Sequence, residues 1–422
     1  MKVKTQSGQP PVGSCDLLIR NARILDREER CDIAVSNGRI AEIAKDIRQD
    51  AGRTVDALGG LVTMSFIDPH FHLDKVLSRN YAGAITYQEA FARAREAKKN
   101  FTRGDVEARV CAALDLAVAQ GIGRIRTQVD VDFATRLVSL EGVLRAQERF
   151  RNLIDIEIVA FPQEGIVTDP AAPALLREAL GMGAKLVGGL PEFERSVEDQ
   201  RAHVRTIFDI AEERGVPIDF HCDYTDLAHF KTLEMVADMT IERGYQGKVT
   251  AGHCCALAVY SDDEARRVIA KVKSADISVT ILPIANLQML GGDRPTPVNR
   301  GSSRAKELLA AGVNVCAGAD NMFDIWFRFN RMDPVDTAYM TCLSAGMRSD
   351  AEVREAFEMT TSRPARLMGL ADHRLAVGGC ADLVVHSATS LVDMFRNIPA
   401  RRLHIKGGRL VGGVEGSLWS AR

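Results

Sequence analysis

Eight short apolar runs, separated mostly by stretches of helical spacing, constrain the middle of this chain more than any other feature. They are Met64–His72, Arg124–Val131, Asp155–Gln163, Leu186–Pro191, Pro217–Tyr224, Val249–Cys255, Ser278–Ile284 and Val313–Asn321. Such alternation builds βα units, because a parallel strand is reached only by a crossover that is usually a helix. The stretch VEDQRAHVRTIFDIAEERG shows the helical side of the pattern: apolar residues recur at helical spacing and a Gly ends it. Eight parallel strands predict an α/β fold, a (β/α)8 TIM barrel, with active-site residues at the C-terminal ends of the strands. A doubly wound open sheet is the alternative. It would carry a glycine-rich phosphate turn after its first strand, and this sequence has none there. The 422 residues accommodate a barrel of about 250 residues and an accessory domain.

Both ends of the chain read differently. From Cys15 to Leu61 the segments are rich in Ile, Val and Leu and punctuated by Asn37-Gly38 and a Gly-Gly pair. Asn-Gly is a strong hairpin-turn signal. The last fifty or so residues repeat the style, with ADLVVHS and ARRLHIKGGRLV around another Gly-Gly turn. Chain termini often lie close together. The expectation is therefore one small β-sandwich domain from residues 1–63 and 374–422, enclosing a barrel over 64–373. Two separate flaps are the simpler alternative.

The bulk properties narrow the partners. Lys plus Arg number 54 against 56 acids, so the basic excess of a nucleic-acid binder is missing. No apolar run approaches the roughly 20 residues of a membrane helix. MKVKTQSGQPPVGS lacks the apolar stretch of a secretory signal and reads as a frayed tail. The nine Cys are scattered without a CxxC pair, which fits free thiols and a cytoplasmic location.

Metal-ligating residue types gather at the strand ends. The first run ends in FIDPHFHLDK, where His70 and His72 are two apart and so share one face of a strand. The fifth carries His221, the sixth His253 and the eighth Asp320. Imidazole and carboxylate suit zinc or ferrous iron, and a catalytic site leaves a position open for water. An HxH pair alone is weak; four of nine histidines on predicted strand ends, followed by an Asp, is much stronger. The remaining histidines, His203, His229, His373, His386 and His404, fall outside these ends and read as structural or solvent-facing.

The order HxH, His, His, Asp at strands one, five, six and eight resembles the amidohydrolase superfamily. Within it the stretches FIDPHFHLDK, RTQVDVD, IVAFPQEG, HCD, VTAGH and GADNMFDIW resemble the bacterial cytosine deaminase and N-isopropylammelide amidohydrolase groups. The resemblance implies that His70, His72, His221 and Asp320 hold one divalent metal ion, zinc or iron. It implies that His253 polarises the tetrahedral intermediate, that Gln163 hydrogen-bonds a heterocyclic amide and that Trp326 walls the pocket. Two-metal members carry a bridging Lys at the end of strand four. Here Lys185 precedes that strand and Gly188, Gly189 and Leu190 hold its tip, which favours a single metal.

The departures bear on substrate. The cytosine deaminase group follows HCD with a Glu that shuttles protons; this chain has Tyr224, whose phenol, with an ordinary pKa of about 10, is a poor base at neutral pH. Asn321 follows the metal Asp where that group has a second Asp, and Lys75 replaces a small polar residue. Both resemble the ammelide group. Lys75 reads equally as a substrate contact or as a solvated loop cation. Unlike both groups, the chain has Gln128 where they have His in RTHVDV, and Asp223 where the ammelide group has a second His. The expected enzyme is a metal-dependent hydrolase of C–N bonds other than peptide bonds. Asp320 acts as general base, with Asp223 or Tyr224 assisting proton return. The expected reaction is deamination of a small nitrogen heterocycle. The alternatives are hydrolysis of an N-substituted amine or ring amide, and an inactive metal-binding relative. A symmetric homo-oligomer is expected for an enzyme of this size.

Overall fold

The computed structural model describes residues 2–5, 14–78, 87–291, 303–324, 326–396 and 402–414. Eight parallel strands run in sequence order around one sheet: Phe66–Phe71, Ile122–Asp130, Asp155–Phe161, Leu186–Gly189, Ile218–Cys222, Val249–His253, Ser278–Ile281 and Val315–Ala317. Each is nearly all buried, as expected of strands covered on both faces. The ring closes through residues implicated above as ligands. Asp320 N donates to His70 O at 2.9 Å and His72 N donates to Asp320 O at 2.8 Å. The architecture is a (β/α)8 barrel, and its closing seam is part of its site.

Helices follow the strands for local reasons. Val197–Arg214 starts at Ser196, whose side chain accepts from Asp199 N, and stops at Gly215 in the left-handed region. Its buried face of Val204, Ile207, Phe208 and Ala211 joins the main core.

Two smaller sheets come from the chain ends. One has five strands in the order Lys2–Thr5, Ala51–Asp56, Cys15–Ala22, Cys31–Ser36 and Arg39–Ala44. Asn37-Gly38 makes its hairpin, both residues at positive φ. The other has four strands, Arg409–Val414, Arg402–Lys406, Leu383–His386 and Val62–Met64. A single apolar cluster containing Leu17, Ile33, Val55, Val62, Leu383 and Ile405 joins the two sheets.

The expected barrel strands were too long at their C-terminal ends; the first, fifth and eighth also began too early, and the second began two residues too late. Val62–Met64 pairs antiparallel with Leu383–His386, so the chain leaves the small sheet before the barrel begins at Phe66. At the site end, Asp223, His253, Cys254 and Asp320 have positive φ, which breaks strand geometry just where side chains must turn inward. Among the described residues, no helix is long and apolar enough to cross a membrane.

Candidate active site

His70 lies at the end of the first barrel strand with His72 just past it, His221 lies in the fifth, His253 ends the sixth and Asp320 follows the eighth. The ligand atoms of His70, His72, His221 and Asp320 all lie within 4.8 Å of one another, and all four residues are buried. His72 Nε2 and His221 Nε2 are 3.1 Å apart, and Asp320 Oδ1 stands 3.5 Å from Nε2 of both His70 and His72. Ligands about 2.0–2.1 Å from a tetrahedral zinc ion stand about 3.3 Å from each other, so the spacing fits a small divalent ion. Burial holds the imidazoles of His72 and His221 well below the ordinary histidine pKa, so both are neutral. His70 Nε2 makes no hydrogen bond among the described residues. A buried cluster of imidazole nitrogens and one carboxyl group suits a borderline-soft cation.

His253 sits beside this cluster. Burial pushes its imidazole down to about 4. Its Nδ1 lies 3.2 Å from Asn286 Oδ1, an acceptor, so a proton held there leaves Nε2, which has no hydrogen-bond partner among the described residues, as the ring's basic nitrogen. The Tyr224 ring stacks on it at 4.1 Å. The pocket above is lined by His72, Lys75, Gln163, His221, Tyr224, His253, Asp320, Asn321 and Trp326, together with apolar Phe91, Leu190 and Phe327. Phe91, from the helix Tyr87–Lys98, meets the Trp326 ring edge-on at 4.2 Å and helps roof the pocket.

Two expectations need correction. Lys75 is not a solvated loop cation: it is 1% exposed and donates to Asp130 Oδ1 at 2.5 Å. Burial alone would lower its pKa, but Asp130 and Asp74 outweigh burial and hold it above the ordinary lysine value. Asp223 does not face the pocket. Its carboxylate accepts from Thr232 N, Thr232 Oγ1 and Leu233 N at 2.7, 2.7 and 3.1 Å, which secures the start of the helix Thr232–Glu242. With Tyr260 Oη also donating at 3.4 Å, an acid committed to four donors has little freedom to carry protons.

Other residues were not singled out by sequence reasoning. Lys98 is buried and bridges Asp130, Asp132 and Glu164 at 2.8, 2.7 and 3.0 Å. The acids in RTQVDVD and FPQEG hinted at this, because charge inside an apolar strand end needs a partner; the partner on a distant helix gave no such hint. Glu192, just past strand four, accepts from Tyr224 N at 2.6 Å. Burial and then Asp223 raise its carboxyl to about 8. Gln128 places Nε2 3.3 Å from His70 Nδ1, behind the ligand cluster. Lys185 is exposed and precedes its strand.

Known proteins share this arrangement's framework. The N-isopropylammelide isopropyl amidohydrolase of Pseudomonas sp. strain ADP is 29% identical over 405 residues, covering 94% of this chain and 97% of its own length. The pterin deaminase of Rhizobium rhizogenes is 31% identical over 399 residues, covering 90% and 88%. The crystal structure of 5-methylcytosine deaminase from Klebsiella pneumoniae with 5-fluorocytosine superposes with a TM-score of 0.89 at 29% identity, covering 96% of this chain and 99% of that one. The Amidohydrolase family model matches residues 78–412, most of the chain, and the protein belongs to that family of hydrolases.

Proposed function

We propose that this protein is a one-metal aminohydrolase that removes an amino group from a small, flat nitrogen heterocycle. The observation that carries the reading is the convergence of His70, His72, His221 and Asp320 at the floor of a pocket walled by Gln163, Trp326 and His253. In this reading those four residues would hold a zinc or ferrous ion, which when bound would acidify a water toward a pKa of about 7. The second acid-rich group, His72, Asp74 and Asp130, is a poor second metal site, because Lys75 and Lys98 already occupy Asp130. Asp320 accepts the water's proton. His253, once protonated at Nε2, donates to the oxygen of the tetrahedral carbon or to the leaving amine. Trp326, Phe91 and Phe327 exclude bulk water and clasp the ring faces. Gln163, Lys75 and Asn321 contact the ring's polar edge. Tyr224 takes part by covering His253.

The named activities of the relatives support C–N cleavage on a heterocycle and differ in leaving group. The long match to an N-isopropylammelide hydrolase keeps release of an alkylamine as a second reading. Purified protein is expected to hold about one zinc or iron per chain, and to release ammonia from an amino-heterocycle. Chelation or Asp320→Asn should cut turnover at least about a hundredfold. Full turnover after either change would refute the metal-assisted mechanism, and alkylamine in place of ammonia would select the second reading.

A further inference from the structure

The second barrel strand turns three buried polar side chains to one face at alternate positions, Arg126, Gln128 and Asp130. The outer two have charged partners. Arg126 pairs with Glu157 and Asp219, and Asp130 pairs with Lys75 and Lys98. Gln128, between them, faces a histidine instead. Its Nε2 lies 3.3 Å from His70 Nδ1, and its Oε1 makes no hydrogen bond among the described residues. The sixth strand confines the same imidazole. A Cβ on Gly252 would come within 2.9 Å of His70 Cε1 and 3.1 Å of Nδ1, so only a glycine leaves the ring its place.

The other ring nitrogen looks into the ligand cluster. His70 Nε2 stands 3.5 Å from Asp320 Oδ1 and makes no hydrogen bond among the described residues. A neutral imidazole has one N–H and one lone pair. A ring that gives its Nε2 lone pair to a metal therefore carries its proton on Nδ1, and a buried N–H there needs an acceptor. Among the described residues, the side chain hydrogen-bonded to His70 Nδ1 is that of Gln128. The two ends of a carboxamide have nearly the same shape, so a half-turn brings Oε1 to Nδ1 in the same space.

We infer that Gln128 is a positioning residue for the metal: its Oε1 accepts from Nδ1–H of His70 and so fixes the tautomer and aim of that ligand. The inference rests on the four-ligand reading of the site and adds a neutral acceptor behind one ligand. A glutamine can serve both states of the ring. Its amide NH2 donates to a bare Nδ1 when the proton sits on Nε2, and its carbonyl accepts once the proton sits on Nδ1. A carboxylate could only accept.

Zinc affinity, measured by competition with a chromophoric chelator and without substrate, tests this. Gln128→Met keeps the length of the side chain and removes both polar ends. It should bind zinc about 10–100-fold more weakly than the parent, while the urea midpoint of the metal-free protein stays near the parent's. Gln128→Glu restores an acceptor and should bind zinc at least as tightly as the parent. Parent-like zinc affinity in folded Gln128→Met overturns the inference, as does a Gln128→Glu protein that loses as much affinity as Gln128→Met. Where Gln128→Met does not fold, Gln128→Glu decides: parent-like affinity supports the inference and a loss of about tenfold or more overturns it. A parent protein that binds no zinc would refute the four-ligand reading and this inference with it, whereas unchanged affinity in the variants refutes this inference alone.

Discussion

At the residue scale, the site shows how neighbouring side chains divide labour by their hydrogen bonds. His221, Asp223 and Tyr224 are near neighbours in sequence yet face three different tasks. His221 points to the ligand cluster, Tyr224 stacks on His253, and Asp223 turns at positive φ to secure a helix start. Asp223→Ala should therefore cost stability rather than chemistry. It strands buried donors at Thr232 and Leu233, a loss of about 2–3 kcal/mol. Urea denaturation is expected to show that loss, with kcat close to parent in the folded fraction. A large fall in kcat with unchanged stability would return Asp223 to the proton path. Neither Tyr224 nor Lys75 could be placed by residue type alone. A phenol and an ammonium acquire their roles from His253 and Asp130, which come from other strands.

At the element scale, the loop after the third barrel strand is held by one carboxylate. Glu194 accepts from Ile166 N, Val167 N and Thr168 Oγ1, and lies 2.9 Å from His203 Nδ1. His203 Nε2 accepts from Leu190 N at 3.1 Å, so one Glu–His pair ties the Gln163 loop to the end of strand four. Gly165 sits at φ +89, and a Cβ there would come within 2.8 Å of Glu194 Oε1, which explains a glycine in FPQEG. Burial alone would raise the Glu194 carboxyl, but His203 and the backbone donors outweigh it and depress it to about 2 from an ordinary 4.5. A depressed carboxylate stabilises the fold above its unfolded pKa, and that contribution fades as pH falls from 4.5 through 2. The full contribution is about 3 kcal/mol at neutral pH. Glu194→Gln should lower stability at pH 7 and flatten its decline between those limits. A pH dependence identical to the parent's would rule out this pair as an acid-sensitive clamp.

At the scale of the whole molecule, the terminal sheets and the barrel are joined by a buried ion pair. Arg402, 2% exposed, donates to both oxygens of Asp333 at 2.7 and 2.9 Å. Asp333 also caps the helix Pro334–Ala345, and Arg402 reaches Gln120 on the barrel side. Arg402→Met should cost about 3–5 kcal/mol, because Asp333 would be left charged in the interior. Adding Asp333→Asn should recover part of it. A single-variant loss below about 1 kcal/mol would show the pair to be dispensable. The barrel, the hairpin at Asn37-Gly38 and the strand-end placement of His70, His72, His221 and Asp320 were legible in the chain before any contact was known. Each of those is written in local periodicity, turn chemistry or two-residue spacing. Packing alone reveals that Lys75 is buried, that Asp223 belongs to a helix start and that Lys98 reaches Asp130 across 32 positions. It also decided where strands stop, since positive φ at His253 and Asp320 answers to the site rather than to strand propensity. The reason is physical: periodicity reports which face of an element is buried, whereas a buried charge takes its role from a partner that only folding brings within reach.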